Sequence, residues 1–359
     1  MKYKNWLAAV PGISAKKKWK LQEICGGNEE VYYIEENRVK LLDFLTEREQ
    51  NLLIRAKTEM NPLKLEEQWE KEGIKCICYD SKDYPDKLKE IAQPPYAIFV
   101  KGKIPEKGKK QIAIVGARKC THYGEQMAIT YGKILAEYGV EIISGMARGI
   151  DGAGQRGAIM NGGNTYAVLG CGVDICYPRE HRGLYEDIQK QGGIISEFPP
   201  GTQPFSSNFP ARNRIISALS DVVLVMEAKE RSGSLITADM ALEQGKDIYA
   251  LPGPVTSLLS QGCHRLIREG AGILITPEEL IKELHLEKEK QISNSDQKKK
   301  VLEKHENLVY SCLDLYPKGV QALVEETHLR PEQVLREIIS LELDGKVKEI
   351  SKNQYIRSS

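Results

Sequence analysis

The chain has 359 residues, 28% of them charged, with a formal net charge of +1. That length admits two or three domains and a large core, and the charge balance excludes a globally basic protein, so any cationic surface must be local. No apolar run is long enough to span a membrane, and the apolar stretch in MKYKNWLAAVPG is too short for a secretory leader, so a cytoplasmic protein with no membrane partner is the expectation.

The first 62 residues read as a helical domain. WLAAVPGISAKKKWKLQEIC has the outline of a helix-hairpin-helix turn, or of an ordinary helix–turn–helix corner with Pro11 and Gly12 as breakers. Such a hairpin can present backbone N–H groups to a phosphate, and the run Lys16, Lys17, Lys18, Lys20 beside it reads as a solvated face. From residue 63, two strand-like runs around a short helix extend a central sheet. Eight cysteines are present without a CxxC pair, and Cys76 and Cys78 in IKCICYD read as alternate faces of a strand. Reduced thiols are expected, with no metal and no cofactor.

The central unit, residues 63–283, repeats one pattern. A short β-branched run ends in glycines, and the glycines feed a helical segment. IAIVG, VEIISG, TYAVLG, GIISEF, DVVLVMEA and DIYALPG are the strands, and the helix after the first runs from Glu125 to Tyr138. This is a doubly wound α/β sheet in one dimension. Residues 284–300 read as a charged linker, and residues 301–359 as helix-helix-helix-hairpin, the winged-helix outline. Glu332, Arg336 and Glu337 make its third helix a poor major-groove surface, so protein contact or regulation is the expected role of the tail.

Glycines at strand ends let a ligand approach backbone amides, and helix N-termini favour anions. GARKCTHYG, SGMARGID, LGCGVD and RSGSLIT give four such places on one sheet edge. The candidate residues are Gly116, Arg118, Tyr123 and Gly124 in the first, and Ser144, Gly145, Arg148 and Gly149 in the second. Gly170 and Gly172 belong to the third, followed by Tyr177, Pro178 and Arg179. Phe209, Arg212, Asn213 and Arg214 lie in NFPARNR, and Ser232, Gly233 and Ser234 in the last loop. A row of arginines this long suits a polymer with a phosphate at each step, and Tyr123, Tyr177 and Phe209 offer rings to splayed bases. No GxGxxG follows the first strand, no Walker A lysine motif occurs, and no nucleophile–base pair is visible.

Taken together, VGARKCTHYG, SGMARGID, TYAVLGCGVDICYP, SEFPPGTQP, FPARNRIISALS, VMEAKERSGSLITA, ALPGPV and LIREGA resemble the bacterial DNA-processing protein DprA (Smf) family. The resemblance covers Leu63 to Glu283 and implies a Rossmann-like core. It implies binding of single-stranded DNA, protection of incoming strands in natural transformation, loading of RecA, a homodimer formed through the core, and no catalysis. It places Arg118, the SGMARG turn, Arg179 and Arg212–Asn213–Arg214 on the DNA. Gln155 and His181 depart from the family pattern of His and Asn. The alternative is a Rossmann-like nucleotide hydrolase of the phosphoribohydrolase type, in which Glu227 and Glu243 would supply the acids. RSGSLITADMALE lacks the PGGxGT turn of those enzymes.

Overall fold

A computed structural model describes residues 2–287, 304–314 and 316–358. Six helices come first: α1 (Lys2–Ala9), α2 (Ala15–Cys25), α3 (Asn28–Tyr33), α4 (Glu36–Lys40), α5 (Glu47–Glu59) and α6 (Pro62–Lys71). Short polar side chains start several of them. Ser14 caps α2, Thr46 and Glu49 form a reciprocal capping box on α5, and Asn61 caps α6 ahead of Pro62. The helices are not free-standing. Trp6, Leu7, Leu53 and Trp69 share one apolar core with Phe99 and Ile194 of the sheet, and the Trp69 ring meets Phe99 at 5.2 Å. The helical part therefore runs past residue 62 through α6, and the first strand begins at Ile74.

The main sheet has nine strands: β1 (Ile74–Cys78), β2 (Ala97–Gly102), β3 (Gln111–Val115), β4 (Glu141–Ser144), β5 (Thr165–Val168), β6 (Gly193–Ser196), β7 (Val222–Val225), β8 (Asp247–Ala250) and β9 (Gly272–Ile273). Their spatial order is β1-β2-β6-β5-β4-β3-β7-β8-β9. β1 pairs with β2, and β2 with β6, antiparallel; every other neighbour is parallel. The chain winds outward from β3 through β4, β5 and β6, then returns to β7 on the other side of β3. The order thus reverses at β3 and β7, which makes their carboxyl ends the topological switch point where doubly wound sheets open a crevice. Burial alternates as a sheet covered on both faces requires: Ala113 and Val115 enter one core, Ile112 and Ile114 the other. Cys76 and Cys78 share a face, contrary to the sequence reading, because side chains two positions apart on a strand point the same way. Both meet the core under the N-terminal helices, whereas Ile77 joins the opposite one.

The connecting helices are α7 (Asp86–Lys89), α8 (His122–Glu137), α9 (Ile150–Met160), α10 (Arg182–Gln191), α11 (Asn208–Leu219), α12 (Gly233–Glu243), α13 (Gln261–Arg268) and α14 (Pro277–Glu283). α8 and α9 touch backbone to backbone: a Cβ on Gly132 would stand 2.1 Å from the Gly154 carbonyl. α8 begins at His122, three residues before the sequence-based start, because Thr121 caps it and accepts from the Gly124 amide at 3.1 Å. Tyr123 and Gly124 consequently lie in a helical turn rather than in the loop.

The tail holds α15 (Lys304–Cys312), β10 (Lys318–Gly319), α16 (Val320–Thr327), α17 (Pro331–Leu343), β11 (Val347–Ser351) and β12 (Gln354–Arg357), with strand order β10-β12-β11. Val309, Leu323, Val334, Ile338 and Tyr355 form its core. Three helices and a closing hairpin make it a winged-helix module. Most of the expected linker, residues 288–300, lies outside the described residues. Among the described residues no helix is long and apolar enough to cross a membrane.

Candidate nucleic-acid interface

The loops after β3 and β7 and the start of α11 enclose a cleft of about 320 Å³ at the switch point. Arg118, Phe209, Arg212 and the Ser232–Gly233–Ser234 turn are among its walls, and Asp151 is at its side. Ser232 caps α12, accepting from the Ser234 amide, and its hydroxyl lies 2.7 Å from that of Ser234. α12 thus aims its N-terminus, the positive end of its dipole, into the cleft.

The rim combines cations with rings. The Arg118 guanidinium lies 5.1 Å from the centre of the Phe209 ring, and Tyr177 meets the same ring at 5.6 Å. Arg118, Tyr177 and Arg179 are exposed, and Phe209 is half-buried. Arg118 and Arg179 have no carboxylate partner among the described residues. This is an open cationic edge with aromatic faces beside it, the combination that holds an unpaired strand through its phosphates and its bases.

Beneath the rim the groups expected to meet a ligand are turned to other work. The Gly145 amide donates to Asp151 Oδ2 at 3.2 Å, and the Gly116 amide bonds the same carboxylate. An internal anion therefore fills the amide nest that the sequence assigned to phosphate, as buried amides require a partner. Burial pushes the Asp151 carboxyl up, opposed first by the charge of Arg212. Arg212 itself is 4% exposed. Its Nη1 donates to the carbonyls of Gly145 at 2.9 Å and Val168 at 2.6 Å, and its Nε to Asn213 Oδ1 at 3.1 Å. Burial pushes its pKa down, with Asp151 opposing. Asn213 in turn donates to the Gly233 carbonyl at 3.2 Å, tying α11 to the last loop. Arg212 and Asn213 are braces of the cleft wall.

Arg214 leaves the cleft altogether. Two positions along a helix is about 200°, so it emerges on the far side of α11 from Arg212. There its guanidinium takes both oxygens of Glu197 at 2.9 and 2.6 Å. Ser144 is turned inward, its hydroxyl donating to the Ile114 carbonyl at 2.6 Å. Tyr123 donates to the Pro252 carbonyl at 3.1 Å and stacks on Tyr316 of the tail at 5.3 Å, so its ring is already covered. Gly124 is buried against Glu227, where a Cβ would come within 2.5 Å of the carboxyl carbon. Arg148, on the SGMARG turn, pairs with Glu180 across the rim. Gly149 sits at φ +72° with its Cβ position 2.3 Å from the Ala117 carbonyl, so the approach of the two loops demands glycine. The Gly170 carbonyl accepts from Asn208 at 3.0 Å, and the Gly172 amide donates to Thr202 at 2.9 Å. Pro178 is buried under the rim, its carbonyl accepting from the His181 amide. His181 is held against the Met146 carbonyl at 3.0 Å, and burial pushes its pKa down. Gln155 bonds Thr165 and the Tyr166 carbonyl inside the core, away from any ligand. Asp151 is the residue the sequence reading missed. Its signal was an acid in the first turn of the helix after SGMARG, pointing back at two strand ends.

The acids of the hydrolase alternative do not meet. Glu227 accepts from the Thr121 amide at 2.8 Å and its hydroxyl at 2.5 Å, so it holds the first loop in place. Glu243 ends α12, about 15 Å along the helix from the turn that faces the cleft. Among the described residues no group of three or more His, Cys, Asp or Glu side chains is placed to hold a metal ion.

The fold and this cleft define a Rossmann-like α/β protein with an open cationic edge at its switch point, flanked by helical and winged-helix modules. A family profile for DNA recombination-mediator protein A matches residues 75–285, and one for the DprA winged helix domain matches residues 293–351. The chain belongs to the DNA recombination-mediator protein A family. It is 46% identical over 206 residues to protein Smf of Escherichia coli, covering 57% of this chain and 55% of that protein, so it spans about half that relative's length. It is 42% identical over 202 residues to DNA processing protein DprA of Streptococcus pneumoniae, covering 56% of this chain and 71% of the relative. The X-ray structure of the S. pneumoniae protein superposes with a TM-score of 0.66 at 31% identity, covering 80% of this chain and 98% of that one. A Helicobacter pylori DNA processing protein A structure, whose description concerns a single-stranded DNA binding mode, superposes with a TM-score of 0.53 at 28% identity, covering 59% and 95%.

Proposed function

We propose that the chain binds single-stranded DNA along the β3–β7 edge as a non-catalytic recombination mediator, protecting strands taken up in transformation and loading RecA on them. The observation that carries this reading is the unpaired Arg118 guanidinium over Phe209, with Tyr177 beside it and the α12 N-terminus below. It supplies charge and stacking surface together at an open cleft, and membership of the family points the same way. The bases would stack on Tyr177 and Phe209 while Arg118, Arg179 and the α12 N-terminus face phosphates; Arg212, Asn213 and Asp151 hold the wall. A duplex keeps its bases stacked on each other and gains only the phosphate part of this, so it binds more weakly. A homodimer would pair through the core at the open β9 edge, where Ile273 and Ile275 are 48% and 62% exposed.

The test is binding of labelled oligo-thymidine by anisotropy over a salt series, with unlabelled duplex as competitor. The expected result is single-strand preference and an affinity that falls linearly on a log–log plot as salt rises. RecA loading is read as faster onset of RecA ATP hydrolysis on strands pre-coated with single-strand-binding protein. Equal affinity for duplex, or no stimulation of RecA, would overturn the corresponding part of the reading.

A further inference from the structure

Two further cavities lie across α11 from the cleft. Pro210 is exposed and lines both the cleft and a second, larger cavity of about 900 Å³, which lies between the N-terminal helices and the sheet. Trp19, Pro94 and Tyr96 line both that cavity and a third of about 390 Å³ beside it. Shared lining residues place the three cavities one after another, the first and second on opposite sides of α11 with Pro210 at the crossing, from Arg118 at the switch point to the α1–α2 corner.

The chemistry of the two further cavities matches that of the cleft. Trp19 is half-buried with Tyr79 at 5.5 Å and Tyr96 at 6.1 Å, an aromatic cluster at their far end. Lys16, in the first turn of α2, is exposed and has no carboxylate partner among the described residues. The acids that line these cavities are paired: Glu197 with Arg214 and Asp80 with Lys4. Lys18 is buried and donates to the Ala8 carbonyl at 2.7 Å, so it braces the α1–α2 corner rather than meeting a ligand. What remains is one cation without a carboxylate partner among the described residues, Lys16, and the part of the Trp19 ring that its contacts with Tyr79, Tyr96 and the core leave open to solvent.

We propose that the single strand runs on over Pro210 into these cavities, with Lys16 as a phosphate contact and Trp19 as a base-stacking platform. The N-terminal helices are then part of the DNA site, engaged only by strands long enough to leave the cleft. This rests on the cleft reading, and the test separates the two. The full chain is titrated with oligo-thymidine of about six and about twenty nucleotides, beside Arg118→Ala, Lys16→Glu and Trp19→Ala variants. Tryptophan emission is followed as well, since Trp6 and Trp69 are 0% and 4% exposed and a change reports Trp19.

The expected result is that Lys16→Glu and Trp19→Ala leave the short strand unaffected and weaken the long one roughly tenfold, as loss of one stacked base or one phosphate contact does. The long strand, not the short, quenches the emission of the parent protein. Lys16→Glu, a change at an exposed position, keeps the test decisive if Trp19→Ala fails to fold. If Lys16→Glu binds the long strand like the parent and the emission does not move, while Arg118→Ala loses the short strand, the extension is wrong and the cleft stands. If Arg118→Ala keeps the short strand, the cleft reading itself fails.

Discussion

Arg118→Ala weakens binding of oligo-thymidine by about 10- to 100-fold, the loss expected when a charged hydrogen bond worth roughly 1.5–3 kcal/mol is removed. The loss is the same for every base sequence if, as proposed, the guanidinium faces phosphate rather than a base edge. One fewer counterion is released, so the slope of log affinity against log salt becomes shallower by about 0.7. Thermal stability is unchanged: Arg118 is exposed, and its contact to Phe209 at 5.1 Å is a surface one. Anisotropy at several salt concentrations and a melting curve together check this. Unaltered affinity, or an altered melting point, contradicts the assignment.

Arg212→Met behaves in the opposite way. The substitution removes three hydrogen bonds, two of them to buried carbonyls, and leaves the Asp151 carboxylate buried without its nearby cation. Removing one member of such a buried charged set costs about 3–5 kcal/mol. For a sheet domain of this size that lowers the melting temperature by roughly 6–20 °C. Strand binding falls with it, because the Gly145 turn and Val168 strand end lose the group that draws them together. A double variant, Asp151→Asn with Arg212→Met, recovers part of the loss, since it removes the stranded charge as well. Denaturation curves of the three proteins check this. A stable Arg212→Met that loses only DNA affinity would return Arg212 to the ligand side of the wall.

The contrast between these two arginines shows what one dimension carries. The strands, their two-sided burial and the placement of glycines at carboxyl ends were readable, because β-branched runs ending in glycine have few other uses. The start of α8 was not, since recognising Thr121 as a cap requires knowing where the backbone turns. Nor was the division of labour among the arginines. Arg118 in a loop and Arg212 and Arg214 on one helix are the same residue type, yet one is exposed, one is buried under two carbonyls and one is paired with Glu197. The helical period separates Arg212 from Arg214, but which of the two faces the cleft depends on how α11 lies against the sheet. Asp151 was hidden for a related reason. Its partners are amides of two strands that sequence distance keeps apart. The helical cover of β1 and β2 was likewise illegible, since a shared core between Trp69 and Phe99 leaves no local pattern in either segment.

The most direct test is to photo-cross-link oligonucleotides carrying 5-iododeoxyuridine to the intact protein and map the modified residues by mass spectrometry. The rim account predicts adducts on Tyr177 and Phe209, lost together in the Arg118→Ala protein. Adducts confined to the winged-helix tail, or on Tyr177 and Phe209 unchanged in that variant, would contradict it.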